Sequence, residues 1–374
     1  MEPFKELLNE SVVRQLGQVF SRVYDDFNDT EFCDSALKRL PELELKERAR
    51  HIMEALDICL PQNFDHFSEI ILACLHPSED PENDEAAVFG PDGVMGFAAW
   101  PVTDLVTHRG IKLPELALPL LKEVTKRFSA EFAVRPFLDQ HTEMTLEIFH
   151  DWIGDDNRHV RRLVSEGARP RLPWGMQLKK FVAEPSYVLP MLEKLKNDPE
   201  EYVRRSVANN LNDIAKDHPE VVSDVAAKWL KDADKNRMRL VKHACRTLIK
   251  QGLQPTLYAF GYVPVVGLSG ELNILTPRVE YGEALEFAAE FLAGHGEHKV
   301  MIDYAIHFMK ANGTSAPKVF KWKDTSITKG ALSASRKHAI KPITTRKYYP
   351  GMHELEIFVN GVAVARAPFE LVMS

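Results

Sequence analysis

The spacing of apolar residues predicts that the first two thirds of the chain are helical. Within 11–20 the apolar residues recur at positions 12, 13, 16, 19 and 20, which fall on one helix face. The segment 43–60 has the same spacing. Prolines and glycines interrupt the pattern at intervals as far as about residue 260, so we expect many short helices. The acidic, proline-containing stretch 77–85 predicts an exposed loop.

After residue 262 the pattern changes to the alternation that is typical of strands. Alternating or otherwise strand-like sequence covers the segments 283–291, 299–308, 318–323, 354–359 and 362–365. The last two segments flank Asn360-Gly361, a strong hairpin signal. Six or seven such strands in about 105 residues predict an immunoglobulin-like β-sandwich. The domains are therefore predicted at 1–262 and 270–374, joined by a linker near 263–270.

The helical part contains an internal repeat. The text around Val160-Arg161-Arg162 returns around Val203-Arg204-Arg205 at an offset of 43 residues, and a decayed copy follows near Leu240. An acidic turn precedes each clear copy, and aspartate there can cap the free amides of a helix start. A period of about 40 residues indicates HEAT-like helix pairs, which stack into a solenoid with a concave binding surface.

Composition places few constraints on the function. The chain has 374 residues, of which 45% are hydrophobic and 27% charged, and no apolar stretch is long enough to span a membrane. Four scattered cysteines form no pair of metal-ligand spacing and indicate no disulfide framework. These features predict a cytoplasmic protein without a secretory signal, a membrane partner or an obligate protein partner.

The charge is distributed unevenly along the chain. Residues 1–150 carry 14 lysines and arginines against 28 aspartates and glutamates, whereas residues 151–250 carry 20 against 15. The net charge of −7 is therefore the sum of an acidic first part and a basic second part. A polyanion would be expected to bind the basic part.

The segment 151–181 is the most basic part of the helical text. Five arginines lie within 14 residues: Arg158, Arg161, Arg162, Arg169 and Arg171. The first three share a helix face by their spacing, and together with Arg204 and Arg205 they suit phosphate binding. The alternative is a solvated face with arginine–aspartate pairs, which is common in charged helices.

Three further side chains in this region could carry chemistry. Two prolines hold Trp174 on a stiff non-helical loop, where it either stacks on a base or sugar or plugs a gap between repeats. Glu166, among the arginines, is either a structural ion pair or a catalytic group. Glu131 is a second candidate, although its spacing alone favours a salt bridge to Arg135.

The segments 131–137 and 158–174 resemble signature segments of the AlkC branch of the AlkC/AlkD family of DNA alkylation-repair glycosylases. The sandwich resembles the immunoglobulin-like domain that some AlkC proteins append. The resemblance implies a mainly α fold, a HEAT-like helical-repeat solenoid followed by an all-β immunoglobulin-like sandwich. It also implies excision of 3-methyladenine and 3-methylcytosine from double-stranded DNA, with little swinging of the lesion into a deep pocket. Glu131 and Glu166 would then approach the lesion sugar, and Trp174 would pack near it.

The implied chemistry fits these residue types. A ring-alkylated base is already cationic and leaves without protonation, so the protein must stabilise a positively charged sugar and place a water, which carboxylates do. No lysine nucleophile stands out, which favours a monofunctional hydrolase over a Schiff-base lyase. No metal and no cofactor are required, and the histidines show no ligand spacing.

The sandwich has a basic segment of its own. Between 314 and 347, nine lysines and arginines face one acidic residue, Asp324. Its composition over 326–345 predicts a flexible loop that contacts the DNA backbone, as opposed to a loop kept soluble by charge. The candidates named for DNA contact in this domain are Lys321, Lys323, Arg336 and Lys337.

Two other functions fit the same sequence. A helical-repeat scaffold that binds a protein partner would carry the same repeats without catalysis. A damaged-DNA sensor would bind DNA in a salt-dependent manner and release no base.

Overall fold

The computed structural model describes residues 3–80, 90, 92–328, 330–344 and 346–373. Within them the chain forms sixteen α-helices followed by eight strands. No helix of the described residues is long and apolar enough to cross a membrane. The order of these elements confirms the prediction of a mainly helical fold with a C-terminal β-sandwich.

The chain packs into two compact units that divide between Asp217 and His218. The helices of the first unit are α1 (Glu10–Val23), α2 (Asp29–Leu37), α3 (Leu45–Cys59), α4 (Phe64–Cys74), α5 (Trp100–Gly110), α6 (Pro114–Thr125), α7 (Arg135–Gln140), α8 (Thr142–Trp152), α9 (Arg158–Gly167), α10 (Lys179–Ala183), α11 (Leu189–Leu195) and α12 (Glu201–Ile214). The helices of the second unit are α13 (Pro219–Trp229), α14 (Lys235–Ala244), α15 (Arg246–Lys250) and α16 (Gln254–Ala259).

The helices predicted from spacing at 11–20 and 43–60 are confirmed as α1 and α3. Both have side-chain caps. The Asn9 carboxamide oxygen accepts a hydrogen bond from the amide of Val12 at 3.1 Å, and Glu44 and Glu47 form a capping box at the start of α3. The predicted loop at 77–85 is described only as far as Asp80, and its remainder lies outside the described residues.

The two clear copies of the repeat form α9 and α12, which pack against each other. The first arginine of each copy makes equivalent bonds. Arg161 donates to the carbonyls of residues 155 and 156, and Arg204 donates to the carbonyls of residues 198 and 199. These bonds tie each helix to the turn before it, so the repeated arginine has a structural role in both copies.

The sandwich consists of two sheets. Its strands are β1 (Ser269–Ile274), β2 (Arg278–Glu280), β3 (Ala284–Leu292), β4 (His298–Met309), β5 (Ser315–Ile327), β6 (Ala331–Ala339), β7 (Gly351–Val359) and β8 (Val362–Val372). The three-stranded sheet has the order β1-β3-β6, and the five-stranded sheet has the order β2-β8-β7-β4-β5. One apolar core lies between the sheets, with Phe287, Phe291 and Tyr304 among its buried aromatic residues.

The sandwich confirms some strand predictions and corrects others. The Asn360-Gly361 hairpin joins β7 to β8, with φ of 48° and 75° at its two residues, as its turn type requires. The prediction of a flexible loop over 326–345 was wrong, because β6 occupies 331–339 and pairs antiparallel with β3 along its full length. Leu332 and Ala334 alternate with serines, a pattern that indicates a strand. The density of basic residues nearby had favoured the prediction of a loop.

Asn360 anchors the β7–β8 hairpin through buried hydrogen bonds. Its carboxamide oxygen accepts from the amide of Met301 at 2.8 Å, and its nitrogen donates to the carbonyls of Val263 and Lys299 at 2.7 and 3.0 Å. We expect Asn360→Ala to lower the free energy of unfolding by about 2–4 kcal/mol in urea titrations, since the buried amide of Met301 and two partly buried carbonyls lose their partner. The exposed control Asn273→Ala should change it by less than about 0.5 kcal/mol. Equal losses in both variants would contradict this role.

Candidate active site

Glu131 and Glu166 meet at one guanidinium group. Nη1 of Arg162 donates to Oε2 of Glu131 at 2.8 Å and to the hydroxyl of Ser129 at 2.9 Å. Nη2 of the same arginine lies 3.6 Å from Oε1 of Glu166, one helical turn further along α9. The two carboxylates predicted from sequence are therefore neighbours, joined by an arginine that was predicted to bind DNA.

A glycine permits this approach. A Cβ atom on Gly167, at the end of α9, would lie 2.6 Å from a methyl carbon of Val134. The short segment that carries Glu131 can therefore pack closely on α9 only because residue 167 has no side chain. The second repeat has Asn210 at this position.

The ion-pair chain continues on the other side of Glu166. Arg169 donates through Nη1 to Glu166 at 2.7 Å and through Nε to Oδ2 of Asp213 at 2.8 Å. Lys216 in turn donates to Oδ1 of Asp213 at 2.8 Å. Asp213 belongs to α12 and was not predicted from sequence, because only the packing of α12 on α9 brings it to this site.

The cluster keeps its arginines charged although it is largely out of water. Burial opposes the charge on Arg162, but the nearby carboxylates of Glu166 and Glu131 outweigh burial and raise its pKa. The pKa of Arg169 is raised in the same way, by Glu166 and Asp213 against burial. Three carboxylates alternate with two arginines, and Lys216 balances the third carboxylate at the Asp213 end, so the charges of the cluster match.

Arg135 organises the loop that follows α9. Its side chain is fully buried and donates to the carbonyls of Gly167 at 2.7 Å, Arg169 at 2.8 Å and Met176 at 2.8 Å. Burial lowers the pKa of this guanidinium to about 10. The expected salt bridge between Glu131 and Arg135 was wrong, since Glu131 binds Arg162 and Arg135 binds main-chain carbonyls.

Trp174 stands out from this loop. Its side chain is 68% exposed, and its φ of 66° lies in the left-handed region that residues other than glycine rarely adopt. The alternative that Trp174 plugs a gap between repeats was therefore wrong. Lys46 donates to the Trp174 carbonyl, and its ammonium lies 5.9 Å from the ring centroid of Phe132. Sequence reasoning missed Lys46 because 128 residues separate it from Trp174.

Most of the other predicted arginines have acidic partners within the first unit. Each of three arginines binds one aspartate through two nitrogens, in the pairs Arg158–Asp80, Arg161–Asp198 and Arg171–Asp217. Arg205 is mostly exposed and lies 3.2 Å from Glu201. The arginine–aspartate alternative thus describes their contacts in this structure, and their contact with DNA stays a prediction.

The predicted basic residues of the sandwich lie on its edge strands. Lys321 and Lys323 belong to β5, and Arg336 and Lys337 belong to β6. All four are exposed. Lys321 pairs with Asp324 at 3.1 Å and Lys337 with Glu286 at 2.6 Å, so part of this charge is already balanced.

Over the described part of the chain, no group of three or more histidine, cysteine or acidic side chains is arranged to hold a metal ion. The residues gathered around Arg162 offer carboxylate groups, and the loop after α9 offers the exposed aromatic ring of Trp174.

Replacing Arg162 by methionine should destabilise the first unit. Without this guanidinium Glu131 loses its ion-pair partner in a partly buried site, and Glu166 keeps only Arg169. We expect a loss of about 2–4 kcal/mol in the free energy of unfolding, measured by urea titration, because a buried charge is left without its partner. Arg205→Met, at the equivalent position of the next repeat, should cost under about 0.5 kcal/mol. Equal losses in the two variants would argue against this role of Arg162.

Comparison with known proteins places the chain among relatives of the same organisation. Residues 269–373 match the family model described as the C-terminal Ig-like domain of the uncharacterised protein YhaZ. The chain is 38% identical over 365 residues to the uncharacterized protein YhaZ of Bacillus subtilis (strain 168), covering 96% of this chain and 97% of the relative.

A solved structure is similar over the whole length. The alkylpurine DNA glycosylase AlkC of Pseudomonas fluorescens, bound to DNA containing an abasic site analog, aligns with a TM-score of 0.84 and 33% identity. The alignment covers 99% of this chain and 100% of that chain. The chain therefore belongs to the AlkC-type family that includes YhaZ, with an immunoglobulin-like domain at its C-terminus.

Proposed function

We propose that this protein is a monofunctional DNA glycosylase that hydrolyses the N-glycosidic bond of cationic alkylated bases, 3-methyladenine and 3-methylcytosine, in double-stranded DNA. The observation that carries the proposal is the sharing of Arg162 by Glu131 and Glu166. The name of the Pseudomonas relative, an alkylpurine DNA glycosylase bound to DNA, supports the same activity. Its role would be the first step of base excision repair.

We propose different roles for the two carboxylates because they differ in their exposure to solvent. The side chain of Glu131 is 18% exposed and that of Glu166 only 6%. We assign to Glu131 the contact with the sugar that becomes positive and with the attacking water, because water reaches it. Glu166 would hold Arg162 in place and add negative potential from behind.

Trp174 would complete the site by its conformation. An exposed, large aromatic side chain with a strained backbone costs stability, and such strain persists where a function requires it. Its ring would pack against the lesion nucleotide, where the π-face attracts the cationic base and sugar. Arg135 and Lys46 fix the main chain of this loop, so the ring has a defined position before DNA arrives.

Affinity for DNA would come from phosphate contacts. We propose that Arg205 and the basic residues of β5 and β6 contact the backbone without reading sequence. Arg158, Arg161 and Arg171 are held by aspartates and would exchange those partners for phosphate only at a cost. No cofactor, membrane or obligate protein partner enters the mechanism. The four cysteines are free thiols, which fits a cytoplasmic location.

Substitution of the carboxylates should separate catalysis from binding. We expect Glu131→Gln and Glu166→Gln each to slow release of methylated bases from methylated duplex DNA by at least about 100-fold, with DNA affinity retained. Base release and alkali-labile abasic sites are measured in single-turnover reactions. Glu143→Gln, an exposed residue of α8, serves as the matched control and should keep the wild-type rate.

The same assay distinguishes the alternatives. DNA binding without any abasic product in the wild-type protein would indicate a damaged-DNA sensor. The absence of both binding and product would indicate a helical-repeat scaffold for a protein partner.

A phosphate contact in the sandwich should appear in the salt dependence of binding. We expect Lys323→Ala to weaken binding to all duplex sequences alike and to reduce the slope of log K against log salt by about 1. Lys310→Ala, in the turn between β4 and β5, should leave the slope unchanged. Identical slopes for wild type and Lys323→Ala would remove this residue from the DNA interface.

A further inference from the structure

Asp303 is a buried carboxylate that lies outside the candidate active site. Its neighbours in β4, Ile302 and Tyr304, point into the sandwich core, so Asp303 points to the opposite face of the five-stranded sheet. That residue is only 8% exposed. Among the described residues no hydrogen-bond donor lies within bonding distance of its side chain. Its cross-strand neighbour Lys321 offsets part of the cost of this buried charge, but in the described part of the chain the carboxylate oxygens have no donor, which a bound ligand would supply.

This carboxylate lines a cavity. The cavity encloses about 440 Å³ between α14 and α15 on one side and β4 and β5 on the other, a size suited to a small molecule. Its apolar wall includes Phe260, Tyr262 and Met301. A β-bulge in the pairing of β4 with β5 falls between Ile302 and Asp303, and bulges of this kind re-aim side chains toward sites.

The charges that face Asp303 come from every element around the cavity. Lysines and arginines line it from the helices and from β5, at Lys242, Arg246, Lys250, Lys318 and Lys321. Asp324, the second acidic group, accepts from the Tyr262 hydroxyl at 2.7 Å and from Lys321 at 3.1 Å, and lies 3.8 Å from Lys242.

Three further cations stand at the exposed side of the cavity, and one of them, Arg246, donates to the carbonyl of His243 at 2.7 Å. Arg246, Lys250 and Lys318 are exposed, and they also line an adjoining depression of about 690 Å³. The cavity therefore combines one buried acceptor, an aromatic wall and an exposed cationic border. A ligand that satisfies all three has hydrogen-bond donors at one end, a flat apolar body and an anionic group at the other end.

We propose that this cavity binds a guanine nucleotide, with Asp303 accepting from the base and the exposed cations holding the phosphate. Guanine presents a ring N–H beside an exocyclic amine on one edge, which matches the two oxygens of one carboxylate. Adenine presents an amine beside a ring acceptor, which a carboxylate would repel. Phe260, which is only partly buried in the cavity wall, offers aromatic surface on which a base packs.

The nucleotide can be free or part of a DNA strand, since both present the same groups. The site lies in the second unit and shares no residue with the carboxylate cluster around Arg162, although its β5 lysines, Lys318 and Lys321, are also among those proposed to contact DNA.

Calorimetry on the full-length protein tests the proposal with GMP, AMP and single strands ending in dG or dA. We expect GMP or the dG-ended strand to bind at least about tenfold more tightly than its adenine counterpart at pH 7.5. Burial raises the pKa of Asp303 to about 6, against the opposing effect of Lys321. Binding should therefore weaken about tenfold at pH 5, where the carboxylate is mostly protonated and no longer accepts both donors.

Variants make the test specific. Asp303→Asn should weaken guanine binding by at least about tenfold without lowering the melting temperature, because it removes a buried charge that accepts no hydrogen bond from the described residues. Lys250→Glu should weaken binding of GMP but not of guanosine. Glu290→Gln, on the exposed face of β3, is the matched control and should bind as wild type does.

Each outcome of these experiments either supports or overturns the proposed guanine-binding site. Guanine selectivity that depends on Asp303 supports the site, and the arm that shows it, GMP or the dG-ended strand, identifies the source. No binding at about 1 mM in either arm, equal binding of adenine and guanine, or unchanged binding by Asp303→Asn would overturn it. The rate of base excision by Asp303→Asn, expected within about twofold of wild type, keeps this outcome separate from failure of the glycosylase proposal.

Discussion

The first unit depends on the pairing of charges that have been taken out of water. A buried carboxylate or guanidinium is tolerated only if an opposite charge and hydrogen bonds replace its hydration. Arg162 and Arg169 meet this requirement for Glu131, Glu166 and Asp213 in an alternating chain. The chain links α9 to α12 and to the segment before α7, so the alignment of the candidate catalytic groups and the packing of the helices are the same set of interactions.

The repeat shows how one sequence pattern serves two purposes. The first arginine of each copy, Arg161 or Arg204, closes the turn before its own helix, and Arg161 also reaches Asp198 in the turn of the next copy. The second arginine differs between copies. Arg205 is exposed, whereas Arg162 is enclosed by carboxylates because Gly167 lets the Glu131 segment approach. The two copies therefore share the bonds that hold each helix to its turn, and the first copy also has a polar site around its second arginine.

The second unit contains two neighbouring carboxylates that differ in their hydrogen bonding. Asp324 has Tyr262 and Lys321 as partners, whereas Asp303 lies close by, buried and without a hydrogen bond among the described residues. Unpaired burial raises the pKa of Asp303, while pairing lowers that of Asp324 against the effect of its own burial. The contrast between these neighbours is the physical reason to regard the cavity beside Asp303 as a binding site.

The sequence by itself determined the fold class and most of the elements. Helical spacing, the 43-residue repeat and the Asn360-Gly361 turn are local properties, and local backbone preference is sufficient to fix them. Sequence position singled out Glu131, Glu166 and Trp174 as candidates, and the family resemblance implied their roles near the lesion sugar. Only the tertiary structure decided their partners. The choice of Arg162 over Arg135 for Glu131, the recruitment of Asp213 and Lys46, and the pairing of the basic segment 331–339 as a strand all depend on residues distant in sequence. Such contacts follow from which surfaces pack together, and spacing along one element carries no information about them.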